Sequence, residues 1–257
     1  MSFPALYREP VLLDRQQHRG KRLRRNTVTA PVARLHACFL AVSEFPEASK
    51  DFVIGFVDAS APDAAGPKEV SPIALLGLRE DENLYVVADA EANGAGSRWD
   101  ARYLPAFIRR YPFAYGRGDD GQPAVLIDAA CEGLNDIEGE LLVQDDGEPT
   151  PFLQQMIQFL DAFEEEVQRT RLLCQRIVEL DLLKPVQIDV SLPGGQTLNA
   201  GGVQVIDEAK LKALPEAVAV ELLRNGALGL LHAHLISTTN VQRLTERLGE
   251  RMESEKT

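Results

Sequence analysis

Cysteine is scarce in this chain. Its 257 residues include three, Cys38, Cys131 and Cys174, an odd number with no CxxC spacing. That count argues against a zinc ribbon or a disulfide scaffold and fits reduced thiols in a cytoplasmic protein. Long apolar runs are also missing. The longest, such as GALGLLHAHLI (residues 226–236), fall well short of the roughly 20 residues that a membrane helix needs. The opening MSFPALYREPVLLDRQQ lacks the order of positive charge, apolar run and small-residue cleavage site of a secretory signal. The expectation is a cytoplasmic chain that does not span a membrane.

Positive charge is in short supply as well. The chain has 27 basic and 39 acidic residues, a net charge of −12. Six of the basic residues (Arg15, Arg19, Lys21, Arg22, Arg24 and Arg25) crowd one stretch, with Asp14 as the only acid beside them. The remainder holds 21 basic against 38 acidic residues, a balance of −17. A body of that sign repels nucleic acid and anionic headgroups, so no nucleic-acid partner is expected. The basic stretch lacks the interleaved aromatics of a single-strand binder. It is read as neutralising the acidic body or meeting an acidic partner.

What the chain does have is an ordinary globular balance, 45% apolar and 26% charged. DFVIGFVD (51–58), PIALLGL (72–78), NLYVVAD (83–89), AVLIDA (124–129) and GELLVQDD (139–146) are short apolar runs bounded by turn residues, which is the signal of strands. DASAPDAAGPKEVS (58–71) and DAEANGAGS (89–97) read as exposed loops. At Thr150 the period changes. Thr150 suits an N-cap and Pro151 a first helical position. From there Phe152, Met156, Phe159, Phe163, Val167, Cys174, Ile177 and Leu180 keep helical spacing, which predicts a long amphipathic helix ending before Pro185.

Beyond it the pattern predicts a strand VQIDVSL (186–192), a glycine turn PGGQTLNAGG (193–202) and a strand VQVI (203–206). A short helix opens at Asp207 and is interrupted by Pro215, and Asn225-Gly226 closes the next. ALGLLHAHLIS (227–237) reads as a buried strand and TNVQRLTERLGER (239–251) as a final amphipathic helix. The fold class is α+β: a β-rich half over 1–149 and a mixed half over 150–257, packed as one compact unit.

Several segments together resemble one bacterial family. They are LYREPVLLD with His18 after it, PIALLGL leading to ENLYV, and RWDARYLPAFIRRYPFAY (98–115). IDAACEG with EGELLVQDDGEPTPFL follows, then GVQVIDEAKLKAL and LLHAHLISTTNVQRL. In this order, over residues 6–245, the chain is similar to the SapC family, named from a locus linked to bacterial surface layers. Relatives are often encoded beside outer-membrane receptors and flavin-dependent halogenase-like enzymes. Neither association supplies a mechanism, and the resemblance brings no catalytic set with it and leaves the cofactor unknown. RGKRLRR (19–25) and AEANGAGS (90–97) depart from the commoner pattern.

The richest candidate site is residues 99–113, with Trp99, Arg102, Tyr103, Phe107, Arg109, Arg110, Tyr111 and Phe113. Aromatic faces beside guanidinium groups can hold an anionic or planar ligand or an anchor from a partner protein. The competing reading is a packed aromatic corner with its arginines tied to the protein's own carboxylates. His232 and His234, two apart, would share one face of a strand and could begin a metal site. Leu230 and Ile236 on that face point to burial, and His18, His36 or a nearby carboxylate would have to complete the set.

GRGDDG (116–121) matches GxGxxG, but a strand follows it rather than a helix, so it is a hairpin turn. Glu138, Glu140, Asp145, Asp146 and Glu148 read as a solvated strand face and turn. Cys131 and Ser237 lie in no nucleophile-elbow pattern. The sequence thus points to a binding or accessory protein that recognises a protein, peptide or small ligand through the aromatic–arginine block. The alternative is an enzyme of unassigned class, metal-assisted through His232 and His234.

Overall fold

The computed structural model describes residues 6–24, 29–60, 68–88, 96–118, 121–191 and 197–255. The central layer is a five-stranded antiparallel sheet. It contains β3 (Ala37–Phe39), β4 (Val53–Asp58), β5 (Val70–Leu75), β12 (Leu183–Ser191) and β13 (Thr197–Ile206), in the order β12-β13-β4-β5-β3. Strands from both sides of residue 150 therefore share one sheet. A second, three-stranded sheet runs β1 (Pro10–Leu12), β9 (Pro123–Asp128), β8 (Phe113–Arg117). A small sheet joins β2 (Arg22–Leu23) to β10 (Leu134–Asn135) and β11 (Glu140–Leu141). A ribbon pairs β6 (Val86–Ala88) with β7 (Ser97–Trp99). The class is α+β.

Short helices α1 (Thr29–Val32), α2 (Phe45–Ala48) and α3 (Ala106–Arg109) punctuate the first half. The long α4 (Pro151–Glu179) forms where its spacing predicts, and Thr150 Oγ1 accepts the Leu153 N–H at 3.3 Å. Its fully buried residues are Leu153, Leu160, Phe163, Thr170, Cys174 and Ile177, a stripe that keeps the predicted Phe163, Cys174 and Ile177. After the β12–β13 hairpin come α5 (Glu208–Lys212), α6 (Glu216–Arg224), α7 (Ala227–Ser237) and α8 (Val241–Ser254). Among the described residues no helix is long and apolar enough to cross a membrane.

Three sequence expectations need correction. ALGLLHAHLIS is helix, not strand: it is α7. Gly226 takes φ +82, a left-handed value that suits glycine, and Asn225 Oδ1 accepts the Ala227 N–H at 3.0 Å, so the chain enters a helix there. A run apolar on every side carries no period, and its alanine and leucine content favours the helix. Thr197 to Gly202 of the expected glycine turn belong to β13, whose register with β12 shifts between Val186 and Ile188, while residues 193–196 lie outside the described ones. NLYVVAD and GELLVQDD yield only β6 and β11, since Asn83 and Gly139 turn the chain. Asn83 Oδ1 accepts the Tyr85 N–H at 2.9 Å, and Gly139 has φ +102.

Candidate functional site

The block from Trp99 to Phe113 is held by three buried carboxylates, none of which was singled out from the sequence. Asp51, 2% exposed, accepts the N–H groups of Arg102 and Tyr103 on Oδ2 at 3.0 and 3.1 Å. Glu44 Oε1 accepts the Tyr103 hydroxyl at 2.8 Å and the Ala106 N–H at 2.7 Å, which fixes the entry to α3. Asp128, with no exposed surface, takes the Tyr111 hydroxyl at 2.9 Å and the N–H groups of Arg8, Glu9 and Ala130. These bonds compensate for taking the carboxyl groups out of water. Nothing in a chain with 39 acids marks these three out.

The aromatic residues divide between core and rim. Trp99 donates its indole N–H to Tyr103 C=O at 2.9 Å and lies against Phe52 and Tyr85. Phe107, Tyr111 and Phe113 are buried. Burial raises the Tyr103 and Tyr111 hydroxyls well above the usual tyrosine value, with Glu44 adding to it at Tyr103 and Cys131 and Asp128 at Tyr111. Tyr7, also missed, donates its hydroxyl to Phe113 C=O at 2.7 Å. Burial pushes that hydroxyl up to about 12, against the opposing charge of Arg110. To this extent the block is a packed aromatic corner.

Its arginines behave otherwise. The Arg109 guanidinium lies 5.8 Å from the Tyr103 ring centroid and 5.2 Å from that of Phe159. That of Arg110 sits among three rings, 4.7 Å from Phe107, 4.7 Å from Phe163 and 5.8 Å from Tyr7. Phe159 and Phe163 are one turn apart on α4, roughly 6 Å along its axis, so the two cations rest on successive rings of that helix. Arg109 is exposed and Arg110 half-buried, with an Arg110 Nε that is buried and has no hydrogen-bond partner. Among the described residues neither arginine has a carboxylate partner, and Arg102 presents an exposed side chain without one. Among the described residues the one polar side-chain contact of Arg109 is a long bond to the Tyr103 hydroxyl at 3.4 Å.

The basic stretch near the N-terminus shows the contrast. Arg15 pairs with Glu148 at 3.4 Å, Lys21 with Asp136 at 2.8 Å and Arg24 with Glu138 at 3.2 Å. Arg22 donates to Gly139 C=O at 3.0 Å. Three ion pairs thus tie Arg15, Lys21 and Arg24 to acids of the facing turns, while Arg25 lies outside the described residues. GRGDDG joins β8 to β9 as a hairpin, with Asp119 and Asp120 also outside them. Most of the two expected loops, residues 61–67 and 89–95, lies outside them too.

The sapling of a metal site at His232 and His234 loses its geometric ground on α7. Two residues apart on a helix is a turn of about 200°, so the rings point to opposite sides. His232 is exposed, with Nδ1 2.8 Å from Leu228 C=O. His234 has no exposed surface, and its Nε2 accepts the Ile206 N–H at 3.0 Å. Burial pushes its pKa down to about 4. His18 is buried with Nδ1 accepting the Asp14 N–H at 3.1 Å, and His36 is exposed. Among the described residues no three His, Cys, Asp or Glu side chains come together as a metal cage. Ser237 Oγ donates to His234 C=O at 2.6 Å and accepts the Ile54 N–H at 3.0 Å, and Cys131 is buried.

A family model describes the same span that carries these contacts: the SapC model matches residues 13–244. The chain belongs to the SapC family. No curated protein and no solved structure matches it. The SapC match takes in the whole aromatic–arginine block, the three carboxylates that hold it and α4. Tyr7 lies before the matched span.

Proposed function

We propose that this SapC-family chain is a binding or accessory protein that takes a protein or peptide partner at the Arg109–Arg110 pair. The observation that carries the reading is the pair's lack of a counter-charge in so acidic a protein. A guanidinium half-withdrawn from water and without an acid beside it is left to take its counter-charge from outside. Rings beneath each cation hold it in place, which lowers the entropy lost when an anion arrives. A carboxylate is the matching group on a protein, because the planar fork of arginine meets it with two parallel bonds.

Capture from the native host tests this. Arg109→Gln with Arg110→Gln removes the charge and leaves the buried residues Phe107, Tyr111 and Phe113 in place. The expected result is at least a tenfold loss of the captured partner, with a still cooperative melt whose midpoint falls by no more than about 5–10 °C from the lost ring contacts. Equal capture by the double variant would overturn the reading. Tyr111 is unsuitable for this purpose, because its buried bond to Asp128 makes it a stability residue.

A further inference from the structure

β8 is the outer strand of its sheet, with β9 on one side and, among the described residues, no strand on the other. The register tells which backbone groups face that open side. Val125 C=O accepts the Leu13 N–H, and Ala129 N–H donates to Glu9 C=O, so alternate residues of this strand turn towards β1. Asp128 N–H donates to Pro112 C=O, so the others turn towards β8. Ala114 and Gly116, opposite Leu126 and Ala124, are therefore the β8 residues bonded to β9. Phe113, Tyr115 and Arg117 aim their N–H and C=O groups outwards. Those of Phe113 are satisfied, by Arg110 C=O at 2.7 Å and the Tyr7 hydroxyl at 2.7 Å. Those of Tyr115 and Arg117 have no partner on that side among the described residues.

The open edge begins where the uncompensated charge stands. Tyr7 bonds the edge at Phe113 through its hydroxyl, while its ring lies beside the Arg110 guanidinium. At the far end Arg117 donates to Gly121 C=O at 3.0 Å and forms no ion pair among the described residues. Two acids of α4 act on the strand at Tyr115. Asp161 accepts the Tyr115 hydroxyl at 2.6 Å, and Glu164 acts on Tyr115 from further away. An incoming carboxylate is thus favoured at the Arg110 end and disfavoured beside Tyr115.

We propose that β8 is a docking edge for an extended, carboxylate-bearing segment of a partner protein. The segment adds as a fourth strand through the backbone of Tyr115 and Arg117 and sets its acid on Arg109 and Arg110. The proposal rests on the arginine-pair reading above and adds strand addition to it as the binding mode. A second copy fits less well. Phe113–Arg117 contains no acid, so pairing β8 with β8 brings Arg117 of one copy towards Arg110 of the other and supplies neither with a counter-charge.

The test uses the full chain, labelled with nitrogen-15, and an acetylated Glu-Thr-Val-Thr-Val amide. Two analogues carry N-methyl groups on one or the other alternating set of amides. The expected result is a shift of the Tyr115 and Arg117 amide resonances with slower hydrogen exchange at both. One analogue should bind more than tenfold more weakly than the parent, and the other like it. Arg117→Pro, which removes an outward N–H that β9 does not use, should lose more than tenfold in affinity, against less than threefold for Arg117→Ala.

If both methylated analogues bind like the parent while the double arginine variant does not, side chains alone make the contact. Strand addition then falls and the arginine reading stands. No shift at β8 with millimolar peptide, while capture from the host still depends on Arg109 and Arg110, has the same meaning. Protection of Tyr115 that rises with protein concentration, without peptide, would make a second copy the occupant and overturn the proposal. Capture indifferent to both arginines would remove the reading beneath it.

Discussion

Asp128 shows how much one side chain can organise. It collects the Tyr111 hydroxyl and three backbone N–H groups, and so ties the segment that leads into β1 to the end of the block. Asp128→Ala leaves several donors without an acceptor in a dry place, at about 1–3 kcal/mol for each that stays unsatisfied. A loss of roughly 3 kcal/mol is expected, read as a shift in the urea midpoint at constant slope. Tyr111→Phe removes a single bond and should cost about 1 kcal/mol. The double variant should lose less than the sum, because both changes break the same contact. A strictly additive result would mean that Tyr111 and Asp128 do not cooperate. At this scale the sequence pointed to the aromatic and arginine residues but not to Glu44, Asp51 and Asp128. Acidity is common along the chain, and burial is what sets these three apart.

Among the elements, α4 and α7 mark the two extremes of legibility. α4 announced itself through an N-cap, a proline at the first position and a stripe that repeats with the helical period. α7 carries apolar side chains on all sides, so neither period could be read from it. Its hold on the sheet can be tested by pH. The folded pKa of His234, about 4, lies below its ordinary value of 6.5. The unfolded chain therefore binds the proton more readily, and stability falls as pH drops below about 6.5 until the folded form also titrates near 4. The span corresponds to on the order of 3 kcal/mol. His234→Gln keeps an oxygen that can accept the Ile206 N–H and does not titrate. Between pH 6.5 and 5, urea midpoints of the native chain should fall more steeply than those of the variant. Parallel curves would place the acid sensitivity elsewhere.

The whole molecule is knit across the point where the sequence changes character. β13 pairs with β4 at Gln204 and Phe56, and the Ile54 N–H donates to Ser237. Asn240 donates to the carbonyls of Ser49 and Phe52 at 2.8 and 2.9 Å. Gly55 is needed for this closeness, because a Cβ there would sit 2.4 Å from Val203 Cγ1. Residues 1–149 produced alone would expose Phe45, Ile54 and Phe56, which are now without exposed surface. Such a fragment should show no cooperative melting transition and should bind a hydrophobic dye. A sharp transition with native-like strand content would show instead that the first half folds by itself.

The sequence by itself determined the class of fold, the long amphipathic helix, the hairpin at GRGDDG and the crowding of aromatic and arginine residues before Phe113. Each of these is local: a period, a cap, a turn or a composition, all set by neighbours along the chain. Only the tertiary structure decided which aromatic residues are core, which carboxylates hold the block, and that Arg109 and Arg110 rest on rings rather than on acids. It also decided that His232 and His234 face apart and that β8 ends a sheet. These depend on which distant segments meet, and burial and charge pairing are properties of that meeting rather than of the order of residues.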